Sequence, residues 1–587
     1  MTGKTGSPEG DMKTKSLIAI GMTALMLTGC GMPKVDFSGV DSPLFIKDES
    51  GAADVAASGA ESVVQSDAAA QDSKTDDAKK PDNKQTGRTK TESGVPATES
   101  VPTDSSVAAG STKNDQPAKN APVQLAVERV SIYDYEHDSR EDISYLSSDV
   151  QYLSLSKEDA EDYEKLAARL ETLSDDTISA CEDTFNEVLK RAKSAYGDNK
   201  SGFAPYEISL TAVPVRTDSS VFSYFEKMTV TGEESDEVSV TAHTVSSETG
   251  RELTLSKVIA DTDSLPEILA NHQKESYPDI SEKAFSDMLS EYEDTDYVWT
   301  LGYDGITFYF VEEGEVIPIT ILRNEEKDLF RAAGEDIPDN YAVGLAMSQP
   351  YAFDLGGDGE TDILTIEGRE DVNGNYDGVT VTLNDETALA SFYCNSMLPA
   401  YIHTEQGDYI YLFCTEDNDY QQLNIFSLGK GAPSYSGNMD NMGRSRQFDA
   451  ETDLTSEMLL TNPESFELSS NMDILSTYTA SRSYYVDESG MPKSEDTYYY
   501  VDGDLVLKNN QTMNCSIVNE RGRVTKKDQT IKTGTEWTIY RTDGVNTVDL
   551  ILSDKRIARV VLDSVKWPQT IDGEDISDLF EGVRFAG

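Results

Sequence analysis

Basic residues are scarce in this chain, which has 49 Lys and Arg against 107 Asp and Glu and a net charge of −58. Nucleic acid is therefore not an expected partner, because its phosphates would be repelled. A cationic partner would be attracted during encounter. The simpler interpretation of the acidity is that it keeps an exported protein soluble.

Histidine and cysteine are also scarce, with four and five residues. They form no C-x-x-C or H-E-x-x-H motif, and the chain has no G-x-S-x-G or P-loop motif, so no familiar catalytic signature is present. A carboxylate pair for glycan hydrolysis stays open, because acidic residues are so numerous. For Cys394 and Cys414, which lie in strand-like runs, we expect two unpaired core thiols, with a disulfide as the alternative.

Long apolar runs are absent apart from residues 17–27, which follow Lys13 and Lys15. A basic start, a short apolar stretch and small residues at its end are typical of a secretory signal. The motif Leu27-Thr28-Gly29-Cys30 resembles the lipobox of bacterial lipoproteins. The resemblance implies that 1–29 is a signal peptide and that Cys30 carries diacylglycerol, which anchors the chain to the extracytoplasmic face of the cell membrane. Met12 begins a cleaner signal than Met1.

Residues 30–120 contain almost no aromatic side chains and are rich in Ala, Ser, Asp, Lys and Thr. Such a composition buries too little apolar surface to offset the entropy of ordering. We therefore predict a disordered tether behind the lipidated cysteine, with a reach of roughly 50 Å.

Apolar periodicity changes along the rest of the chain. Helical spacing alternates with strand-like runs from 121 to 335, and short β runs between Asp, Asn and Gly turns dominate afterwards. Ser156-Lys-Glu-Asp159 resembles a capping box and predicts a helix that carries Leu166, Leu170 and Leu173, and a second helix carries Ile178, Cys181, Phe185 and Leu189. A strand is expected from Val221 to Val230 and a hairpin turn at Asp304-Gly305. This pattern predicts an α+β fold, an antiparallel sheet with helices on one side, followed by a β-rich C-terminal region. We expect three folded domains, at 121–335, 336–450 and 451–587, the second with Asp/Gly loops.

Four segments between 215 and 321 resemble the RsiV/PdaC-like domain. This domain of unknown function is shared by a lysozyme-sensing anti-sigma factor and a peptidoglycan deacetylase. The resemblance implies recognition of peptidoglycan or of a cationic extracellular protein such as lysozyme. It is carried by Val215-Arg-Thr-Asp-Ser-Ser-Val-Phe-Ser-Tyr224, Ser247-Glu-Thr-Gly-Arg-Glu-Leu-Thr-Leu255, Trp299-Thr-Leu-Gly-Tyr-Asp-Gly-Ile-Thr-Phe-Tyr-Phe310 and Val316-Ile-Pro-Ile-Thr-Ile321.

The chain departs from that family in two respects. The loop between the last two strands shrinks to Glu312-Glu313-Gly314, and the deacetylase's metal-binding Asp and His signature is missing. We therefore expect a cell-surface lipoprotein that recognises an envelope or extracellular ligand without catalysis. The alternative is an envelope glycan-modifying enzyme with an unrecognised carboxylate site.

One acidic loop resembles calcium loops of the D-x-D-G-D-G type. It runs Asp354-Leu-Gly-Gly-Asp-Gly-Glu-Thr-Asp362. Calcium requires several oxygen ligands from one tight turn, which Asp354, Asp358 and Asp362 would supply. Gly356 stands where a second carboxylate is usual, so a plain acidic turn before a strand is the alternative.

Overall fold

The computed structural model describes residues 121–585 except 233–235, 356–358, 372–373, 417–419, 430–431, 450–453 and 504. These residues belong to one compact unit. Within them, no helix combines the length and the apolar character needed to cross a bilayer.

The first sheet is built around one strand–helix–strand unit. A helical turn begins after Ser156, whose side chain accepts a hydrogen bond from the backbone N–H of Asp159. The long helix that follows returns the chain so that β3 pairs in parallel with β2, while β4 and β5 continue antiparallel. The elements are β1 (Val127–Asp138), β2 (Ile143–Leu155), α1 (Lys157–Asp162), α2 (Glu164–Asp198), β3 (Tyr206–Thr217), β4 (Val221–Thr231) and β5 (Glu237–Ser246).

A group of short helices and a three-stranded antiparallel sheet come next. The turn after the first of these strands contains Gly305, which must be glycine because a Cβ there would lie 2.2 Å from the carbonyl oxygen of Ile321. The elements are α3 (Leu255–Val258), α4 (Leu265–Ser276), α5 (Glu282–Leu289), β6 (Val298–Leu301), β7 (Gly305–Glu312), β8 (Glu315–Leu322) and a 3-10 turn (Lys327–Leu329).

The middle of the chain forms two further antiparallel sheets. Four strands follow the order β10-β11-β12-β13, and five follow β17-β16-β15-β14-β9. Their bounds are β9 (Tyr341–Gly344), β10 (Tyr351–Phe353), β11 (Asp362–Glu370), β12 (Tyr376–Leu383), β13 (Glu386–Ala390), β14 (Ser396–Thr404), β15 (Gly407–Thr415), β16 (Gln421–Ser427) and β17 (Ser434–Asp440).

The C-terminal part forms a twelve-stranded sheet. Its core surrounds Trp537, which is fully buried and packs edge-on against Phe580. The elements of this part are β18 (Gly443–Arg444), β19 (Arg446–Asp449), β20 (Leu454–Met458), β21 (Phe466–Asp473), β22 (Thr477–Val486), β23 (Pro492–Lys493), β24 (Tyr499–Val501), β25 (Val506–Asn509), β26 (Met513–Val518), β27 (Val524–Ile531), β28 (Glu536–Thr542), β29 (Thr547–Leu552), β30 (Ile557–Val561), β31 (Thr570–Ile571), β32 (Glu574–Asp575), α6 (Ile576–Leu579) and β33 (Phe580–Glu581).

Two strands of the C-terminal part leave it and join the first sheet. The order of that seven-stranded sheet is β19-β20-β1-β2-β3-β4-β5. A hydrogen bond from Thr461 Oγ1 to the carbonyl oxygen of Leu125, 2.7 Å long, closes this junction between residues 336 positions apart. Chain segments from both ends of the described region therefore build one sheet.

The predicted α+β class is wrong. Strands make up 49% of the described residues and helices 16%, so the chain is a β-rich fold of several sheets. The physical reason lies in what covers the first sheet. Helix α2 covers one face of this sheet, where Leu166 and Leu170 pack with Phe222. On the other face, Phe225 packs against Tyr309 of the three-stranded sheet, with 4.7 Å between the ring centres. Sheet-on-sheet packing, rather than helices, therefore dominates the core.

The cysteines of the described region are all buried and unpaired. The expectation of two unpaired core thiols at Cys394 and Cys414 is confirmed. The boundaries expected at 335/336 and 450/451 stay predictions.

Candidate binding recesses

A polar recess, here called the arginine recess, opens where the chain passes from β18 to β19. Its volume is about 200 Å³, and it is open to solvent. Its lining is made of guanidinium, amide and hydroxyl side chains, and among the described residues it includes no carboxylate, imidazole, thiol or aromatic ring. The lining residues are Gln421, Asn441, Arg444, Arg446, Ser469, Ser470, Asn471 and Thr479.

Strand register brings the charged side chains of this region together. Arg129 of β1 and Arg446 of β19 are both direct antiparallel partners of Glu457 on β20. Direct cross-strand partners project from the same face of a sheet, so the three form a row across three strands. Arg444 comes from the neighbouring β18, which pairs with β21 of the C-terminal sheet. The row therefore meets a fourth charged residue at the edge between two sheets.

The Glu457 carboxylate holds both recess arginines in place. Its Oε1 lies 3.1 Å from Arg446 Nε, and its Oε2 lies 3.1 Å from Arg444 Nη2. The Arg444 guanidinium also lies over the ring of Phe413, 5.1 Å from its centre. Each oxygen of Glu457 thus fixes one guanidinium, which orients both arginines at the recess wall.

Positive charge exceeds negative charge at this row. Burial lowers the pKa of Arg129 and lowers the pKa of Arg444 to about 10, and neighbouring arginines add to both effects. Burial alone would raise the pKa of Glu457, but Arg444, Arg129 and Arg446 together hold it below its usual value. With Asp149 as the other acidic neighbour of Arg129, three positive charges stand against two negative ones. An excess of one positive charge is notable in a chain with a net charge of −58.

A second recess, the tyrosine recess, lies between the three-stranded sheet and strands β9 and β10. Its volume is about 40 Å³, and it is open to solvent. Tyr303 stacks on Tyr341 with 3.9 Å between ring centres, and Tyr341 stacks on His403 at 4.7 Å. The lining residues are Val215, Gly302, Tyr303, Asp304, Gly305, Thr307, Tyr309, Thr320, Tyr341, Val343, Tyr351, Ala352 and Phe353.

Behind this stack, a hairpin pairs an imidazole with a carboxylate. His403 and Asp408 are cross-strand partners on β14 and β15. His403 Nδ1 lies 2.7 Å from Asp408 Oδ1, and the Tyr401 hydroxyl donates to the same oxygen over 2.7 Å. His403 is therefore oriented by Asp408 and covered on one face by Tyr341.

Asp304 places a carboxyl group in the lining of the tyrosine recess. Burial raises its pKa from 3.8 to about 6; His403 opposes this rise and Asp354 adds to it. Tyr341 donates a long hydrogen bond of 3.4 Å to Asp304 Oδ1. A carboxyl with a raised pKa in a recess is a candidate functional group.

The acidic loop next to this recess is only partly described, because Asp358 lies outside the described residues. Asp354 accepts hydrogen bonds from Asn324 Nδ2 at 2.6 Å and from the Gly359 N–H at 3.0 Å. Asp362 accepts from the Leu355 N–H at 3.1 Å and from Asn384 Nδ2 at 2.8 Å. All four oxygens already have protein donors, and no cluster of three metal-ligating acidic, His or Cys side chains occurs in the described part. The calcium site stays a prediction.

The lipidation residue Cys30 also lies outside the described residues. Neither recess was predicted from the sequence. A signal for the arginine recess exists, however: between Arg369 and Arg482 the only basic residues are Lys430, Arg444 and Arg446. Two arginines that lie two positions apart in so acidic a stretch are an unusual feature of the sequence, but they do not show which residues they meet.

No protein-family model matches the chain, and no curated protein matches it. Part of the chain is similar to solved structures of the DUF3298 family. A member of that family from Bacteroides fragilis is 13% identical, covers 37% of this chain and 96% of its own length, and gives a TM-score of 0.27. A DUF3298 family protein from Pseudomonas aeruginosa is 11% identical, covers 37% of this chain and 98% of its own length, and gives 0.26. Kinship with the RsiV/PdaC-like domain stays a prediction.

Proposed function

We propose that this protein is a lipid-anchored cell-surface protein that recognises an envelope or extracellular ligand without catalysis. The arginine recess carries this proposal. Its lining offers hydrogen-bond donors and acceptors, including hydroxyl groups, but no carboxylate or imidazole that would activate those hydroxyls as nucleophiles or transfer protons near neutral pH. Such a lining suits binding and orientation of a polar ligand.

The anchor and the tether belong to the same proposal. Diacylglycerol on Cys30 would hold the chain at the extracytoplasmic membrane face, and residues 30–120 would let the folded part stand off from it. Peptidoglycan and a cationic extracellular protein such as lysozyme are the ligands that the RsiV/PdaC-like segments and the acidic charge suggest. Of these two, a polar glycan matches the recess lining better, because the excess charge there is positive.

The alternative function is modification of an envelope glycan, and Asp304 supports it. A carboxyl with a pKa of about 6 is suited to act as a general acid at neutral pH. Glycoside hydrolysis also requires a second, ionised carboxylate about 5–10 Å away. Its neighbour Asp354 already accepts hydrogen bonds through both oxygens, which favours recognition over hydrolysis.

Retention on purified cell wall tests the proposal. We expect the soluble Cys30→Ala protein to sediment with insoluble peptidoglycan at both 0.05 and 0.5 M salt, roughly, because binding in a shaped polar recess resists screening better than diffuse attraction. Lysozyme should bind only at the lower salt, through charge alone. Loss of wall binding at the higher salt would contradict recess-based recognition.

The same incubation separates recognition from catalysis. We expect no new reducing ends or soluble fragments from the wall during incubation with the protein. Release of fragments that disappears with Asp304→Asn would instead identify the tyrosine recess as an active site.

A further inference from the structure

Arg446 keeps hydrogen-bonding capacity that its protein partner does not use. Its side chain is 40% exposed, and its Nε is the atom bonded to Glu457. A guanidinium has five N–H donors in a planar fork that matches a carboxylate. Because Glu457 fixes the plane of this fork, the remaining donors are already oriented at the recess wall.

The charge of the row calls for one compensating negative charge. Arg129, Arg444 and Arg446 exceed their acidic neighbours Glu457 and Asp149 by one. Arg129 Nε is buried and has no hydrogen-bond partner among the described residues. A ligand with a single negative charge would balance this excess, whereas a polyanion would be repelled by the rest of the chain.

The remaining lining indicates what carries that charge. Three amide side chains, Gln421, Asn441 and Asn471, alternate with the hydroxyls of Ser469, Ser470 and Thr479. Amides both donate and accept, as the hydroxyl groups of a sugar do. The three lining hydroxyls already donate to Arg444 O, Met442 Sδ and Asn471 Oδ1, so toward a ligand they act as acceptors. The lining offers no apolar or aromatic side chain for the apolar residues of a peptide.

We propose that the arginine recess binds a singly charged saccharide, with its carboxylate on Arg446 and Arg444 and its hydroxyl groups on the amide and hydroxyl lining. This inference rests on the proposed recognition function and names the class of its ligand. The recess has a volume of about 200 Å³ and opens to solvent, so it accommodates one sugar ring, with any further ring lying outside it.

Calorimetric titration of the soluble Cys30→Ala protein tests the inference, with the singly charged galacturonate and its carboxyl-reduced form, galactose, as probes. Hydrogen bonds to a charged group are each worth a factor of about ten or more in affinity. We therefore expect galactose to bind at least about tenfold more weakly. Equal binding of the two forms, no binding of either, or equally strong binding of inorganic phosphate would overturn the inference.

Variants of Arg446 assign the site. Arg446→Gln and Arg446→Lys should each weaken galacturonate binding at least about tenfold, because glutamine loses the charge, and lysine keeps the charge but loses the planar fork of donors. The matched control is Arg521→Gln at an exposed arginine in the turn between β26 and β27, which should bind normally. Unchanged melting temperatures show that the variants fold. Undiminished binding by both Arg446 variants would refute the assignment.

The outcome is separable from that of the proposed function. If the protein sediments with peptidoglycan but does not bind galacturonate, the ligand class alone is refuted. If it binds galacturonate but not peptidoglycan, the wall is refuted as its target. Failure in both experiments refutes recognition through this recess.

Discussion

Replacing Asp304 by asparagine should stabilise the protein at neutral pH and change its stability little at acidic pH. Burial raises the pKa of Asp304 from 3.8 to about 6. The folded state therefore binds the proton more tightly than the unfolded state, which favours folding below pH 3.8. That contribution is lost as the pH rises towards 6, and above 6 the folded protein holds a partly buried charge.

The size of the effect follows from the shift. A change from 3.8 to about 6 corresponds to at most about 3 kcal/mol over the whole pH range, at 1.36 kcal/mol for each pH unit. Between pH 4.5 and 7.5 about 2 kcal/mol of it should be lost. Asparagine keeps the shape of aspartate and an acceptor for the Tyr341 hydroxyl, but it does not ionise. The free energy of unfolding of the variant should therefore not fall in this way as the pH rises.

Urea unfolding of both proteins at pH 4.5 and pH 7.5 measures the difference. We expect the variant's advantage in free energy of unfolding to grow by about 2 kcal/mol from the lower to the higher pH. Asp263→Asn is the control, because Asp263 is exposed and its substitution should give the same difference at both pH values. An Asp304→Asn advantage that stays constant with pH, or that shrinks as pH rises, would refute the reasoning.

Three further predictions concern the anchor, the acidic loop and a buried ion cluster. Cys30→Ala should move the protein from the membrane fraction to the soluble fraction, since a thioether to lipid would be its attachment; unchanged fractionation contradicts this. Millimolar Ca²⁺ should raise the melting temperature, and Asp358→Ala should abolish the rise, whereas an equal effect of Mg²⁺ or none indicates a plain turn. Asp549→Ala should cost about 3–5 kcal/mol in urea unfolding, because the fully buried Asp549 bonds two arginines, at 2.8 Å to Arg541 and 2.6 Å to Arg559. The exposed pair Asp554–Arg556 is its control, where Asp554→Ala should cost under about 1 kcal/mol.

Features set by neighbouring residues could be predicted from the sequence. The strand beginning at Val221 and the hairpin at Asp304-Gly305 occur as expected. The helix after Ser156 begins as the capping pattern indicates. Each of these depends on contacts within a few residues, which periodicity and turn chemistry record directly.

One local feature was predicted incorrectly. The run with Leu166 and Leu170 and the run with Cys181 were expected as two helices, but both belong to the single helix α2. No glycine or proline interrupts this helix between 164 and 196. Ser174 is of a residue type that often lies at the N-terminus of a helix. Here its hydroxyl instead donates a hydrogen bond to the carbonyl oxygen of Leu170 within the helix, 2.8 Å away.

The arginine recess could not be predicted, because its charges meet only through pairing between distant strands. Arg129 lies in the first strand, while Arg446 and Glu457 lie in strands that return from the C-terminal part. Because side chains alternate between faces, a slip of one residue in either pairing would turn Glu457 to the opposite face. The arginines would then lose Glu457 as their shared counter-charge, at a cost of several kcal/mol for the buried Arg129 and Arg444. The pairing of Glu457 with these arginines therefore favours the observed strand register. When β19 and β20 join the first sheet in this register, they also bring Arg446 to the recess.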